Sequence, residues 1–243
     1  MEPIYRHSFT IEPFEVDRFG RAKASMLLRF AQEVAGHHSD FLGLSYDSLA
    51  EKGLFWAVIR NKISISRLPR LGETITLETW PMPTTRTAYP RSTVAYDAQG
   101  NEVFRSVSLW ILMDRKSRAM VLPGKCDVIV DGILRGGELS APRSLAPKAL
   151  ENAQTRAVRF TDLDRNGHMN NARYLDWIDD LLPSGFHEGH PMKELTLCYL
   201  NEALEGQTLT THYGTDETGA LLVDIHRPTG DDYDRIFSAR ITF

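Results

Sequence analysis

The sequence is poor in cysteine and has no long apolar segment. Its two cysteines, Cys126 and Cys198, are too few for a disulfide framework and lack the spacing of a metal-binding motif. No apolar run approaches the roughly 20 residues that a membrane-spanning helix needs. The first residues, MEPIYRHSFTIEPF, lack the basic and then apolar layout of a secretory signal. These absences predict a protein of the reducing cytoplasm with no membrane span.

No charge of one sign dominates the sequence. The chain holds 28 Lys and Arg against 32 Asp and Glu, with a formal net charge of −4 at pH 7. A nucleic-acid-binding domain usually carries a strong basic excess, so this composition predicts no nucleic-acid partner. With 243 residues, of which 42% are hydrophobic and 25% charged, the chain suits one large globular domain or two small ones.

What the sequence does contain is an internal repeat. The segment FEVDRFGRAKASMLLRFAQEV (14–34) aligns with TDLDRNGHMNNARYLDWIDDL (161–181). Asp, Arg and Gly recur near the start of both segments, followed by apolar residues at the i, i+3, i+4, i+7 spacing of a helix face. Two later pairs of segments recur in the same order: 63–79 with 197–213, and 97–111 with 227–241. Three ordered matches predict the duplication of one folding unit.

Each copy predicts one long helix over an antiparallel sheet. The stretches ETITLETW and QTLTTHY are typical of strands, and DAQGN and RPTGDD are typical of hairpin turns. Strands joined by short turns pair antiparallel, which makes each half an α+β unit. We expect an N-terminal unit over residues 1–135, a Gly- and Pro-rich linker over 136–149, and a C-terminal unit over 150–243.

The two copies differ at three polar positions. Asn166, His168 and Glu202 stand where the first copy has Phe, Arg and Leu. Asn donates through its amide, neutral His both donates and accepts, and Glu can deprotonate water. Backbone N–H groups at a helix start near residues 168–170 would bind a developing oxyanion. This combination suits hydrolysis of an acyl compound without a metal.

Other polar residues of FTDLDRNGHMNNARY (160–174) have simpler explanations. Asp164 recurs as Asp17 in the copy without Asn and His, so it serves either catalysis or turn geometry. Counted from Asp164, the sequence begins like a calcium-binding loop, but the sixth position is Met169 rather than Gly and the twelfth is Leu175 rather than Glu. We expect structural roles for the rest: helix caps for Asn170 and Asn171, a solvated or turn position for Asp162, and the core for Tyr174.

These motifs together resemble a known family. DRNGHMNNARYLDWI is similar to the D-x-N-x-H-x-N-N-x-x-Y signature of the acyl-acyl-carrier-protein thioesterases of bacteria and plant plastids. GLFWAVIRNKISISRLPRLGETITLETWP and SLWILMDRKSRAMVLP resemble the first half of that family. CYLNEALEGQTL resembles the segment that holds its second catalytic element. The resemblance covers almost the whole chain.

The resemblance implies two tandem hotdog domains, each a long helix wrapped by an antiparallel β-sheet. It also implies hydrolysis of the thioester between a fatty acyl chain and the phosphopantetheine of an acyl carrier protein, with no cofactor. Plant members carry a Cys just after the catalytic Glu, where this chain has Ala203, so water would be the attacking group. By motif position, the catalytic residues would be Asp164, Asn166, His168 and Glu202.

The first unit would line the acyl-chain pocket, although ordinary core packing explains each candidate equally well. The candidates for contact with the acyl chain are Met26, Leu27, Phe30 and Trp56. Carrier proteins are acidic, so basic segments would face the carrier. The candidate segments are RNK (60–62), RLPR (67–70) and DRKSR (114–118).

Three alternatives remain open on the sequence alone. An acyl-CoA thioesterase on the same fold would share the catalytic set and lack the docking surface for a carrier. A non-catalytic acyl-binding module would bind acyl groups without turnover, and a hydratase or dehydratase on the same fold is a third reading. The sequence also leaves open whether Glu202 or His168 takes the proton, which chain length is preferred, and whether the protein forms a homodimer.

Overall fold

The chain divides into two units, of which the computed structural model describes residues 3–243. Unit 1 is Met1–Pro142 and unit 2 is Arg143–Phe243. The division falls inside the segment 136–149 that the sequence predicts as a linker. Across the described residues, no helix combines the length and the apolar character that crossing a bilayer requires.

Unit 1 contains one antiparallel sheet and two helices. Its strands are β1 (Tyr5–Thr10), β2 (Leu54–Ile65), β3 (Thr74–Pro81), β4 (Tyr89–Tyr96), β5 (Glu102–Asp114) and β6 (Met120–Val121). Its helices are α1 (Ala24–Phe41) and α2 (Tyr46–Glu51). The strand order is β1-β3-β4-β5-β2, and the short β6 pairs with β5.

α1 packs against this sheet through apolar residues that recur every third or fourth position. Leu27 and Val34 are completely buried, and Phe30 stacks on Phe9 of β1 with ring centroids 4.6 Å apart. Burial of one such side chain stabilises the fold by about 1.5–3 kcal/mol. The helix ends just before Gly43, whose φ of 74° is the left-handed conformation that commonly terminates helices.

Unit 2 repeats the strand arrangement of unit 1. Its strands are β7 (Asn152–Ala157), β8 (Glu194–Tyr199), β9 (Thr208–Thr215), β10 (Leu221–Thr229) and β11 (Asp232–Thr242). Its helices are α3 (Arg173–Asp179) and α4 (Ser184–Gly189). The strand order β7-β9-β10-β11-β8 reproduces the order β1-β3-β4-β5-β2 strand by strand. The duplication and the α+β class expected from the sequence are therefore present.

The helix of unit 2 is shorter than the sequence suggests. We expect it to begin near residues 168–170, but α3 begins at Arg173 and has 7 residues. Asn170 bends the chain first, because its Oδ1 accepts the N–H of Ala172 at 2.9 Å. Pro183 lies after α3, and its ring cannot be accommodated inside a helix. Tyr174 is buried as expected and stacks on Phe237 of β11 at 4.5 Å.

No helix or strand forms between β6 and β7. The first part of this connection lies on unit 1, where the Ile133 N–H donates to the Pro81 carbonyl at 3.0 Å. The Arg135 guanidinium covers the Trp80 ring at 4.7 Å and pairs with Glu78. Gly132 directly precedes Ile133 and lies against the backbone of Met82. The connection is therefore held on unit 1 at specific positions rather than only tethered to it.

Replacing Gly132 with alanine is expected to loosen the connection from unit 1. A Cβ at this position would lie 2.1 Å from backbone atoms of Met82, so one of the two segments would have to move. We expect a lower melting temperature by calorimetry. Gly36→Ala is the matched control, because nothing lies within 4 Å of its Cβ and alanine is favoured inside a helix by about 1 kcal/mol. An unchanged melting temperature for Gly132→Ala would contradict the close approach.

Candidate active site

Asp164 organises a tight turn ahead of α3. Its N–H donates to the His168 carbonyl at 2.8 Å, and the Gly167 N–H donates to the Asp164 carbonyl at 3.0 Å. The Asp164 carboxylate accepts the N–H of Asn166 at 2.8 Å and that of His168 at 3.4 Å. Gly167 has a φ of 78°, which glycine adopts without strain. The turn therefore sets the positions of Asn166 and His168.

The same turn occurs in unit 1. The Asp17 carboxylate accepts the N–H of Phe19 at 2.8 Å and that of Arg21 at 3.0 Å. The Asp17 N–H donates to the Arg21 carbonyl at 2.7 Å. The geometry thus gives the recurring aspartate a turn function in both units. The side chains differ, because Arg21 folds back onto the Asp17 carboxylate at 3.0 Å.

In unit 2 the equivalent side chain, His168, meets Glu202 instead. The Met169 N–H donates to the Ala203 carbonyl at 2.8 Å, and His168 bridges to Leu204, so the turn pairs with the loop after β8. This pairing brings Nε2 of His168 to 3.3 Å from Oε2 of Glu202. The side chains are 22% and 46% exposed, so that water reaches the pair. Asn166 lies exposed on the same turn.

Gln207 and Arg227 hold the loop that carries Glu202. Arg227 Nη1 donates to the Glu202 carbonyl at 3.2 Å and to Gln207 Oε1 at 3.3 Å. Gln207 Oε1 also accepts the Leu204 N–H at 2.9 Å. The sequence interpretation missed both residues. The repeat could have identified Gln207, because this residue stands where the first copy has Glu73.

Asp162 differs in part from its expected position. It does form a turn, because its carboxylate accepts the Arg159 N–H at 2.9 Å. It is not solvated, since only 2% of its surface is exposed. Its carbonyl accepts the Asn170 N–H at 2.8 Å, and its Oδ1 lies 3.6 Å from Nε of Arg173. Asp162 therefore ties the start of the Asp164 turn to the start of α3.

The backbone N–H groups near His168 are already used within the chain. Those of residues 166–170 donate to Asp164, Ala203 and Asp162. Those of Ala172 and Arg173 donate to Asn170. The N–H groups of residues 168–170, to which the sequence hypothesis assigns the oxyanion, are therefore already occupied. The side-chain amide of Asn166, exposed on the same turn, can donate instead.

The four candidates for acyl-chain contact lie in unit 1, in two different places. Met26, Leu27 and Phe30 are buried on α1. Trp56 lies on β2, where it meets Tyr89 edge-on at 5.0 Å in the cluster under α2. Among the basic segments, Arg67 is neutralised by Glu73 and Asp97, with a contact of 2.9 Å to the latter.

We expect Asp164→Ala and Asp17→Ala to destabilise the protein by similar amounts, about 1–3 kcal/mol each, because each removes the acceptor for two backbone N–H groups. Asp164→Asn should stay near the wild type, since its Oδ1 still accepts. Urea denaturation measures the free energy of unfolding of all three variants. If Asp164→Ala alone were as stable as the wild type, the turn function would be refuted.

Comparison with known proteins places both units in one family. The chain matches the acyl-ACP thioesterase N-terminal domain over residues 2–123 and the acyl-ACP thioesterase C-terminal domain over residues 146–243. It is 25% identical over 231 residues to a chloroplastic acyl-[acyl-carrier-protein] hydrolase of Cuphea viscosissima, covering 89% of this chain and 56% of the relative. It is 24% identical over 239 residues to a chloroplastic dodecanoyl-[acyl-carrier-protein] hydrolase of Cinnamomum camphora, covering 91% and 63%.

The fold is shared with a solved structure. An acyl-ACP thioesterase from Bacteroides thetaiotaomicron superposes with a TM-score of 0.84 at 23% identity, over 99% of this chain and 98% of that one. The tandem hotdog architecture is thereby confirmed. The chain spans less than two thirds of the length of the two plant relatives. With both family domains matched in order along the sequence, the chain belongs to the acyl-ACP thioesterase family.

Proposed function

We propose that this protein hydrolyses the thioester of fatty acyl-acyl carrier protein and releases the free fatty acid. Family membership and the hydrolase activities for which the plant relatives are named support this function. The observation that carries it is the 3.3 Å contact between His168 Nε2 and Glu202 Oε2. The same backbone scaffold in unit 1 holds no such pair, because Arg21 binds Asp17 there.

Glu202 is the general base in this proposal. His168 donates its Nε2–H to one carboxylate oxygen and so orients the group, while Glu202 takes a proton from water. The water oxygen attacks the thioester carbonyl, and the side-chain amide of Asn166 donates to the oxyanion. Collapse of the tetrahedral species breaks the C–S bond. The proton held by Glu202 passes to the leaving thiolate, which gives a carboxylic acid and a thiol.

Water is the nucleophile because the chain places no thiol beside this pair. Ala203 follows Glu202 directly and carries only a methyl group. Cys198 lies within β8, is completely buried and directs its Sγ to the Arg143 carbonyl at 3.6 Å. A thiol that is completely buried in this way is not accessible for attack on a thioester. Asp164 contributes through the turn, and no cofactor enters the scheme.

An acyl carrier protein is the proposed partner. Arg159 and Arg165 are exposed on the segment that leads into the Asp164 turn. Phe160 and Leu204 are 77% and 42% exposed beside them, which adds apolar surface. A basic surface with apolar residues complements an acidic carrier. A cytoplasmic location and a homodimer stay predictions of the sequence.

Unit 1 supplies the surface for the acyl chain in this proposal. Met26, Leu27 and Phe30 line the sheet-facing side of α1, and Trp56 adds an aromatic surface on β2. All are apolar enough to contact a hydrocarbon chain, and the first three are less than a tenth exposed.

Glu202→Gln should lower kcat by about two to four orders of magnitude, because glutamine keeps the shape and accepts from His168 but cannot take a proton. KM should change little. Steady-state hydrolysis of an acyl-carrier thioester measures both. Glu205→Gln, an exposed carboxylate of the same loop, is the matched control and should retain kcat. A Glu202→Gln enzyme with undiminished kcat would remove Glu202 from the mechanism.

For one acyl group, we expect kcat/KM to be higher on the carrier protein than on coenzyme A, with an advantage that shrinks as salt rises, because surface charges attract the acidic carrier. Matched acyl-carrier and acyl-CoA substrates at several ionic strengths measure this. Equal or greater kcat/KM on coenzyme A would favour an acyl-CoA thioesterase. Acyl binding without turnover on either would favour a binding module.

A further inference from the structure

A band of polar side chains crosses the face of the unit-1 sheet that packs against α1. Arg91 of β4 pairs with Ser108 of β5, which in turn pairs with Asn61 of β2. Paired residues project to the same side of a sheet, and the contact of Arg91 with His38 of α1 identifies that side as the one facing the helix. The adjacent row consists of hydroxyl side chains: Thr79, Thr93 and Ser106.

Arg91 is a buried cation with no carboxylate partner between residues 3 and 243. Only 9% of its surface is exposed, and its Nη1 contacts His38 Nδ1 at 3.0 Å and Thr79 Oγ1 at 3.3 Å. Burial lowers its pKa to about 10, which leaves the guanidinium protonated at neutral pH. A buried charge is costly unless it is paired. The fold therefore retains an uncompensated positive charge in its interior.

His38 does not supply the missing negative charge. Because the guanidinium can only donate, His38 Nδ1 is the acceptor, and the neutral ring carries its proton on Nε2. Protonation of Nδ1 would set two cations against each other at 3.0 Å. The pair is therefore one cation and one neutral ring.

Three donor nitrogens of the band make no hydrogen bond within the described chain. Nε and Nη2 of Arg91 make no hydrogen bond within the described chain, and Nδ2 of Asn61 is buried without a partner. These two residues lie on either side of Ser108 in one row, with about 10 Å between their Cα atoms at the usual strand spacing. Nδ2 of Asn61 is the fully buried donor of this row, and such donors are almost always satisfied. An oxygen acceptor near Arg91 and Asn61 would pair with donors that the described chain leaves open.

Apolar rows border the polar band on both sides. One row consists of Leu77, Ala95 and Phe104. The other side holds Tyr89, Trp110, Trp56 and Leu112. On α1, His38 continues a stripe that repeats every four residues from Phe30 through Val34. A ligand of this face thus meets hydrocarbon surface and then a cluster of donors.

We propose that unit 1 binds an aliphatic chain that carries an oxygen acceptor, with the oxygen against Arg91 and Asn61 and the chain against the apolar rows. A carboxylate fits best because it neutralises the guanidinium. That the chain is an acyl group rests on the proposed function, whereas the site rests on Arg91. The ligand has two possible sources: the released fatty acid, or an acyl substrate with a distal carboxyl or hydroxyl group.

Titration calorimetry of the full-length protein with octanoate and with octanol tests the site. Octanoate should bind the wild type roughly tenfold or more tighter than Arg91→Met, because a charge-assisted hydrogen bond is lost. The affinity for octanol should fall less than the affinity for octanoate when Arg91 is replaced by Met. Arg86→Met, which removes an exposed arginine of the same unit, is the control and should bind octanoate like the wild type.

Folding is checked by the melting temperature, which Arg91→Met should leave equal or higher because it removes a buried unpaired charge. Asn61→Asp is a second variant of unchanged shape, and its carboxylate should compete with octanoate for Arg91. Equal octanoate affinity in the wild type and the folded variants would overturn the proposal. So would a wild type that does not bind octanoate.

Hydrolysis assays separate the two sources of the oxygen. If the oxygen belongs to the substrate, the wild type should show a lower KM for a thioester with a terminal carboxyl group than for the same thioester without it. Arg91→Met should not show this difference. If the oxygen belongs to the released fatty acid, octanoate should inhibit the wild type, and this inhibition should be roughly tenfold weaker in Arg91→Met. An active enzyme that shows neither effect would overturn the proposal. Octanoate binding that depends on Arg91 in a protein without turnover would refute the proposed function and support the site.

Discussion

The hydrogen bond from the Met169 N–H to the Ala203 carbonyl joins the two segments on which the candidate site depends. It measures 2.8 Å and pairs the Asp164 turn with the loop after β8. His168 and Glu202 each precede one of the bonded residues, so the pairing determines that their side chains meet. If this pairing shifted by one residue, the side chain of His168 or of Glu202 would point to the opposite side. The contact between His168 and Glu202 is thus a consequence of backbone pairing more than of attraction between two partly exposed side chains, which is weak in water.

The duplicated scaffold shows that this pairing does not need His168 and Glu202. In unit 1 the Ala22 N–H donates to the Pro69 carbonyl at the same 2.8 Å. The turn there is held by an aspartate as well, yet its outward side chain is Arg21, paired with Asp17. Two units with one backbone geometry therefore differ in chemistry through a few side chains. A protein built in this way can lose a catalytic side chain and keep its fold.

Much of this arrangement could be predicted from the repeat, because equivalent segments fold alike and the substituted positions expose the chemistry. The contact of His168 with Glu202 is the case in point: both stood out as differences between copies, and the structure brings them together. The start of α3 could not be predicted, since the Asn170 side chain competes with the helix for the Ala172 N–H. The role of Arg227 could not be predicted because this residue lies on β10, far along the chain from the loop of Glu202 that it contacts.

The site around Glu202 and the site around Arg91 differ in their exposure to water. Glu202 is 46% exposed, so its charge stays solvated and its substrate, water, is always at hand. Arg91 is 9% exposed, and the solvent that would stabilise its charge is largely excluded. An interaction between charges strengthens as the local dielectric constant falls. The exposed pair therefore suits proton transfer with rapid exchange, whereas a counter-charge that reaches Arg91 gains far more than it would at the surface. The same polypeptide unit, used twice, thus presents a solvated pair of side chains in one copy and a buried cation without a carboxylate partner in the other.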